Sequence, residues 1–160
     1  MPADLWLLLQ SSAPAAAMRG SFWLYPLVNT VHVLALLAFF SAVAAIDARL
    51  LGALRPVPVV AVLRPCRRIA VVAFAVQVAS GVLLFSAEAA TLVGNDVFIA
   101  KMLVVALALA NVAVLESVWG RTLAELPAGA AVPTAVRLTA GLSLAGWTTV
   151  AALGRLIAYV

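Results

Sequence analysis

Apolar residues fill four long stretches of the chain, approximately Leu24–Leu51, Ile69–Ala87, Phe98–Val118 and Val136–Val160, with polar residues gathered between them. A helix needs about 20 mostly apolar residues to cross the hydrocarbon core of a bilayer. Each stretch meets that length or comes close. The pattern predicts four spanning helices, bounded at 24–51, 66–88, 97–119 and 134–159. Connections this short force neighbouring helices antiparallel. The expected fold is therefore all-α, an integral membrane up-down-up-down four-helix bundle forming one transmembrane domain over residues 1–160. Ahead of it, Leu5-Trp6-Leu7-Leu8-Leu9 is too short to span. The segment 2–18 reads as a short interfacial helix with Trp6 at headgroup depth. Met1–Gln10 has no Lys or Arg and carries Asp4, unlike the positively charged start of a secretory signal.

Local signals mark the boundaries. Pro26 falls in the first turn of the first helix, where its missing N–H costs nothing. Gly52 follows that helix, and Pro56, Pro58 and Pro65 punctuate the connection after it. Asn95 or Asp96 is placed to cap the third helix, and Leu126 through Pro133 reads as a loop. Small residues recur in the first, second and fourth helices (Ala35, Ala38 and Ala42; Ser80 and Gly81; Gly141 and Gly146), which in lipid lets backbones approach closely.

Composition agrees: 66% of the 160 residues are hydrophobic and 10% charged, and mean hydropathy is +1.18. A water-soluble domain of this size has no interior large enough for so much apolar surface. The net charge of +4 does not point to nucleic acid, because most of it is Arg flanking membrane helices. Arg49, Arg55, Arg64, Arg67, Arg68, Arg121 and Arg137 lie toward one side of the bundle, and Arg19, Lys101 and Arg155 toward the other. Short loops rich in Arg stay cytoplasmic. The expectation is a multi-pass protein of a bacterial inner membrane with N- and C-termini outside.

Ionisable residues inside a membrane are costly, so each is a functional candidate. His32 lies six residues past Pro26, about 9 Å along the helix at 1.5 Å per residue. Asn29 precedes it by three residues on the same face. Glu88 ends the second helix on that side, Lys101 begins the third, and Arg155 lies near the end of the fourth. The topology thus gathers Asn29, His32, Glu88, Lys101 and Arg155 toward the outer face as a candidate cofactor- or ligand-binding pocket. For His32 the plainer role is a hydrogen bond to Asn29 or a neighbouring helix. For Lys101 and Arg155 it is reaching the headgroups, with Glu88 neutralising one of them. Toward the other side, Asp47, Arg49, Arg67, Arg68, Glu116 and Arg121 read as helix-end charges, several extending to the interface, with an Asp47–Arg pair as an alternative. Gln77 and Asn111 are expected to bond across helices, and Phe39, Phe40, Phe74 and Phe85 to pack.

One Cys, Cys66, and one His limit the chemistry. They exclude an internal disulfide, a cysteine-based metal cluster, and a bis-His haem site within one chain. Catalytic triad, P-loop, Rossmann and HExxH signatures are absent, and no enzymatic class is indicated. Three functions remain open. The cluster could hold a cofactor, haem b first, with His32 as iron ligand, the iron being five-coordinate or completed by another group such as deprotonated Lys101, or with Lys101 or Arg155 instead on a propionate. The chain could be a small ion or metal permease. Or it could anchor a partner in a membrane complex, or a second copy of itself, with the bilayer as its constant contact.

The segments Trp23-Leu24-Tyr25-Pro26 … Asn29-x-x-His32, Asp47-x-Arg49-Leu50-Leu51-Gly52, Ser80-Gly81-x-Leu83-Leu84-Phe85-x-x-Glu88-Ala89, Asn95-x-x-Phe98-x-x-Lys101-Met102 and Gly154-Arg155-Leu156-Ile157-Ala158-Tyr159 together resemble a family of small bacterial inner-membrane proteins of unknown function. At Asn29 the chain departs from that pattern, which more often has Glu. More distantly, the His of the first helix and the Lys opening the third are similar to features of copper-resistance D-type membrane domains and of the bacterial four-helix protoporphyrinogen oxidase, which binds haem. That resemblance implies His32 as axial ligand with Lys101 near the cofactor. Copper is poorly served, since Met18 and Met102 are the only other soft ligands near that side and Cu(I) prefers several.

Overall fold

A computed structural model describes residues 2–159 and side chains from Leu5 onward. The predicted end at Val160 and the side chain of Asp4 lie outside the described residues. Helices make up most of the described chain, and no strand occurs among the described residues. The elements are α1 (Pro2–Gln10), α2 (Ala13–Gly20), α3 (Leu24–Leu51), α4 (Val59–Ala87), α5 (Ala89–Leu92), α6 (Asp96–Val114), a π-helical turn (Leu115–Trp119), α7 (Gly120–Glu125), α8 (Thr134–Leu156) and a closing 3₁₀ turn (Ile157–Tyr159).

Four continuous helical stretches are long and apolar enough to cross a membrane: α3, α4, α6 through α7, and α8 with its 3₁₀ turn. The chain is a multi-pass membrane protein. Its outward faces carry Leu34, Leu37, Val71, Val72, Leu103, Leu107, Leu138 and Leu142, each more than half exposed. Water would penalise such a surface; lipid tails do not. α3 packs along α4 and α8, and α8 along α6. The fourth side is closed by large side chains, with Phe85 of α4 stacked on Phe98 of α6 at 5.4 Å between centroids.

The boundaries follow from local chemistry. α3 ends where Gly52 takes φ 116°, its N–H turning back to the carbonyls of Ala48 and Arg49, a left-handed cap that glycine adopts without penalty. α4 follows Pro58 and begins earlier than the hydrophobic pattern suggests. Pro65, expected in the connection, lies inside α4. There it removes one backbone donor from a stretch occupied by Arg64, Arg67 and Arg68. Asn95 caps α6 by accepting the Phe98 N–H at 3.0 Å. The two connections at the arginine-rich end are tied by the Gly129 N–H, which donates to the Arg55 carbonyl at 3.0 Å.

The segment expected at the interface is two helices rather than one. Ser12 takes an extended conformation at the N-terminus of α2 and breaks the helical path. α1 packs over α5 and the end of α4, and α2 packs against α4 and α3. Trp6 meets Phe85 edge-on at 5.9 Å, Met18 is buried, and Arg19 donates to the carbonyls of Ala87 at 3.1 Å and Gln10 at 2.7 Å. Two apolar clusters fill the bundle. One, at the arginine-rich end, joins Leu50, Val59, Leu63, Leu115, Leu123 and Val136. The other lies midway and joins Phe39, Ala73, Ala108, Trp147 and Val150.

Candidate functional site

His32 lies on α3 facing α4, and its ring is held on three sides. Nδ1 is 2.9 Å from the Ser80 hydroxyl, and Nε2 is 2.8 Å from the Gln77 amide nitrogen. Gly81 leaves room for the ring edge: a Cβ at that position would come within 3.2 Å of Cε1. Gln77, Ser80 and Gly81 present one patch because residues three and four apart share a helix face. The Ser80 hydroxyl donates to the Val76 carbonyl at 2.6 Å. Its oxygen therefore accepts from Nδ1–H, and Nε2 keeps the lone pair that receives the Gln77 N–H. Gln77 Oε1 is buried and has no partner among the described residues.

Lys101 of α6 is partly buried and acts electrostatically on His32. Its Nζ packs over Gly154 of α8, where a Cβ would stand 3.6 Å away. No carboxylate pairs with Lys101 among the described residues. His32 with Gln77, Ser80 and Gly81, and Lys101 with Gly154, are thus two parts of the candidate site, on α3 and α4 and on α6 and α8.

The other three expected residues stand apart from it. Asn29 is exposed on α3, and its amide makes no hydrogen bond to His32. Glu88 is exposed beyond the end of α4 and accepts from the Tyr25 hydroxyl at 3.3 Å. Arg155 is exposed, bonds the Tyr159 hydroxyl and lies over its ring at 4.8 Å. Each of these last two is engaged by a nearby side chain rather than aimed at the imidazole.

Below the His32 layer, Phe39, Phe74 and Trp147 close the interior, with Phe39 and Trp147 edge-to-face at 4.6 Å. The Trp147 Nε1 is buried without a partner among the described residues. Farther along, the structure corrects the expectation that Asp47 and Arg49 are helix-end charges reaching the interface: they are 2% and 1% exposed. They also do not pair with each other. Arg49 donates to the Val57 carbonyl at 3.0 and 2.8 Å and to the Arg55 carbonyl at 3.4 Å. Asp47 faces the Ser143 hydroxyl, with Oδ2 lacking a partner among the described residues. The burial follows from α8 and the 52–58 connection closing over that end of α3, which spacing within α3 alone could not reveal. Arg67 does pair, with Glu116. Asn111 bonds across helices to the Thr139 carbonyl at 3.0 Å, in the structural role expected of it. Among the described residues no three His, Cys, Asp or Glu side chains converge as a metal-binding group.

Residues 20–160 match a family of unknown function, DUF6644. The chain belongs to that family. The match takes in the spanning helices and the His32–Lys101 site and leaves out most of α1 and α2. No curated protein and no solved structure matches the chain.

Proposed function

We propose that this DUF6644 member binds a small ligand bearing an anionic group, at a site formed by His32, Gln77 and Lys101 near the membrane face where both termini emerge. One observation carries the reading: a partly buried Lys101 ammonium without a carboxylate partner among the described residues, toward the same end of the bundle as the hydrogen-bonded His32 imidazole. An ammonium within a spanning helix costs free energy unless something compensates it, and an anion supplies that. Lys101 would bind the anionic group, and His32 would accept a hydrogen bond or a metal at Nε2. Gln77 would cap that lone pair until the ligand displaces it.

Haem b is the first occupant to test. The donor chemistry fits it. Nε2 carries the lone pair an iron needs, and Ser80 orients Nδ1–H as hydrogen-bond acceptors orient metal-ligating imidazoles. Lys101 suits a propionate. Haem would supply redox chemistry; the packing of Gln77 and Gly81 would have to open to admit it. The protein belongs, in this reading, to a bacterial inner membrane with both termini outside. The gathering of Arg55, Arg64, Arg68, Arg121 and Arg137 toward the opposite end supports that orientation. A second reading, a small-ion permease, draws on the polar layers at His32–Gln77 and Asp47–Ser143, with the Phe39–Phe74–Trp147 cluster between them as a constriction.

Absorption spectra of the detergent-purified protein, oxidised and dithionite-reduced, test the haem assignment beside His32→Ala and Lys101→Met. A Soret band lost or shifted in His32→Ala is expected. A colourless protein expressed with ample haem would remove haem. Ion-dependent flux in liposomes, abolished by His32→Ala, would then favour the permease.

A further inference from the structure

A groove of about 550 Å³ runs along the lipid-facing side between α3 and α4, bordered by Val31, Leu34, Ala38, Ile69 and Val72. Arg68 is the one charged residue bordering it. A second cavity, of about 280 Å³, opens between α4 and α7; Arg64, Arg67 and Arg68 line it together with Gly120 and Leu123. Arg68 borders both, so an apolar groove ends at a basic cavity.

The charges of that cavity are unbalanced. Arg67 is neutralised by Glu116. Arg64 and Arg68, one helical turn apart on α4, are exposed and have no carboxylate partner among the described residues. Depth makes this significant. Gln77 lies opposite His32 and Phe74 opposite Phe39; continuing that antiparallel register sets Arg68 level with residues 41–45 of α3. That is about 9–15 Å short of the end of α3 at 1.5 Å per residue. Ile69, Val71 and Val72 beside it are 51%, 67% and 65% exposed, as lipid-facing residues are. A guanidinium at that depth needs an anion or a path to the interface.

We infer that this combination is a binding site for an anionic phospholipid. One acyl chain lies in the α3–α4 groove, and the phosphodiester is held by Arg64 and Arg68. Arg binds phosphate oxygens through paired N–H donors, and basic pockets between spanning helices favour anionic headgroups. The apolar groove selects a lipid over a free anion, because a soluble phosphate would occupy only the cavity. The arginines of this site lie toward the opposite end of the bundle from His32, while the apolar groove runs from them up to Val31; the site does not depend on the ligand proposed at His32.

Native mass spectrometry of the full chain in detergent tests it, with phosphatidylglycerol, phosphatidylethanolamine and inorganic phosphate as probes. Phosphatidylglycerol should be retained in preference to phosphatidylethanolamine. The double variant Arg64→Gln/Arg68→Gln should weaken that retention by about tenfold or more. Arg121→Gln/Arg137→Gln, which removes the same charge outside the cavity, should leave it intact. Ala38→Phe, filling the groove, should reduce phosphatidylglycerol binding while keeping the helical circular dichroism. Equal retention of the two lipids would overturn the inference. So would equal losses in the two double variants, which would mean a diffuse basic surface. Competition by inorganic phosphate combined with no effect of Ala38→Phe would also overturn it, by revealing a free-anion site.

Discussion

Ser80 fixes the tautomer of His32. Its hydroxyl proton is committed to the Val76 carbonyl, so at 2.9 Å its oxygen can only accept from Nδ1–H. Ser80→Ala removes that acceptor, and His32→Ala leaves Ser80 and Gln77 without their cross-helix partner. Hydrogen bonds between membrane helices are worth about 0.6 kcal/mol on average and reach about 1.7. A double-mutant cycle on these two substitutions, read from unfolding in detergent, is expected to give a coupling of that order. A coupling of zero would show that the pair does not join α3 to α4.

Gly81 sets how close α4 comes to the imidazole. A Cβ there would meet His32 Cε1 at 3.2 Å, and the ring, bonded at both nitrogens, has little freedom to retreat. Gly146 is a control within the same bundle, since its Cβ would meet only Ala108 at an ordinary 3.7 Å. Gly81→Val is expected to destabilise by about 1–3 kcal/mol through overpacking, and Gly146→Ala by less. The comparison is made by thermal unfolding followed through helicity. The reverse order would mean the His32 ring is free to move.

The four spanning helices were legible because bilayer thickness writes itself into the length of apolar runs; α3 ends at Leu51, at the boundary the pattern predicts. That His32 and Lys101 lie toward the same end of the bundle could be anticipated from topology, since both lie a short way in from that end. Glu88 and Arg155 were grouped with them by end alone, and Asn29 by its three-residue spacing from His32. Azimuth around each helix separates them, and hydrophobic periodicity fixes azimuth weakly when lipid faces and core faces are equally apolar. Ser80 and Gly81 read as small packing residues; only the position of α4 against α3 shows that they frame the ring. Asp47 and Arg49 were misjudged for a related reason. Their burial comes from α8 and the 52–58 connection, segments distant from them or irregular in structure.

Trp147 offers a test of whether its polar edge matters. Its ring packs against Phe39 and Phe74, and its Nε1–H is buried without a partner among the described residues. Trp147→Phe keeps an aromatic ring and removes an unsatisfied donor that costs about 1–3 kcal/mol to bury. That gain offsets the lost volume, so the substitution should be near neutral in unfolding experiments. Trp147→Ala opens a cavity and should cost about 3–5 kcal/mol. A Phe variant as unstable as the Ala variant would show that the indole N–H is satisfied in the membrane, as by a buried water.

Asp47 and Arg49 are two residues apart and almost equally buried, yet their substitutions should differ. Arg49 supplies both hydrogen bonds to the Val57 carbonyl and a third to Arg55, whose carbonyl also receives the Gly129 N–H. Arg49→Met leaves the Val57 carbonyl without these donors and releases the connection that contains Leu54, a non-glycine residue at φ 52°. That conformation is disfavoured for a side chain bearing a Cβ and persists where surrounding contacts enforce it. Loss of bonds from a charged donor costs about 1.5–3 kcal/mol, and a protease of broad specificity such as proteinase K should then nick the 52–58 connection more rapidly than in the unaltered chain. Arg49→Lys offers a single ammonium in place of the planar fork and should restore only part of the loss. Asp47→Asn keeps an oxygen toward Ser143 and removes the need to bury a charge whose Oδ2 has no partner among the described residues. It should change stability by less than about 1 kcal/mol, because neutralising an uncompensated buried group offsets the altered hydrogen bond. Thermal unfolding and limited proteolysis of the three variants decide the matter. If Asp47→Asn proves more damaging than Arg49→Met, the carboxylate rather than the guanidinium organises that end of the bundle.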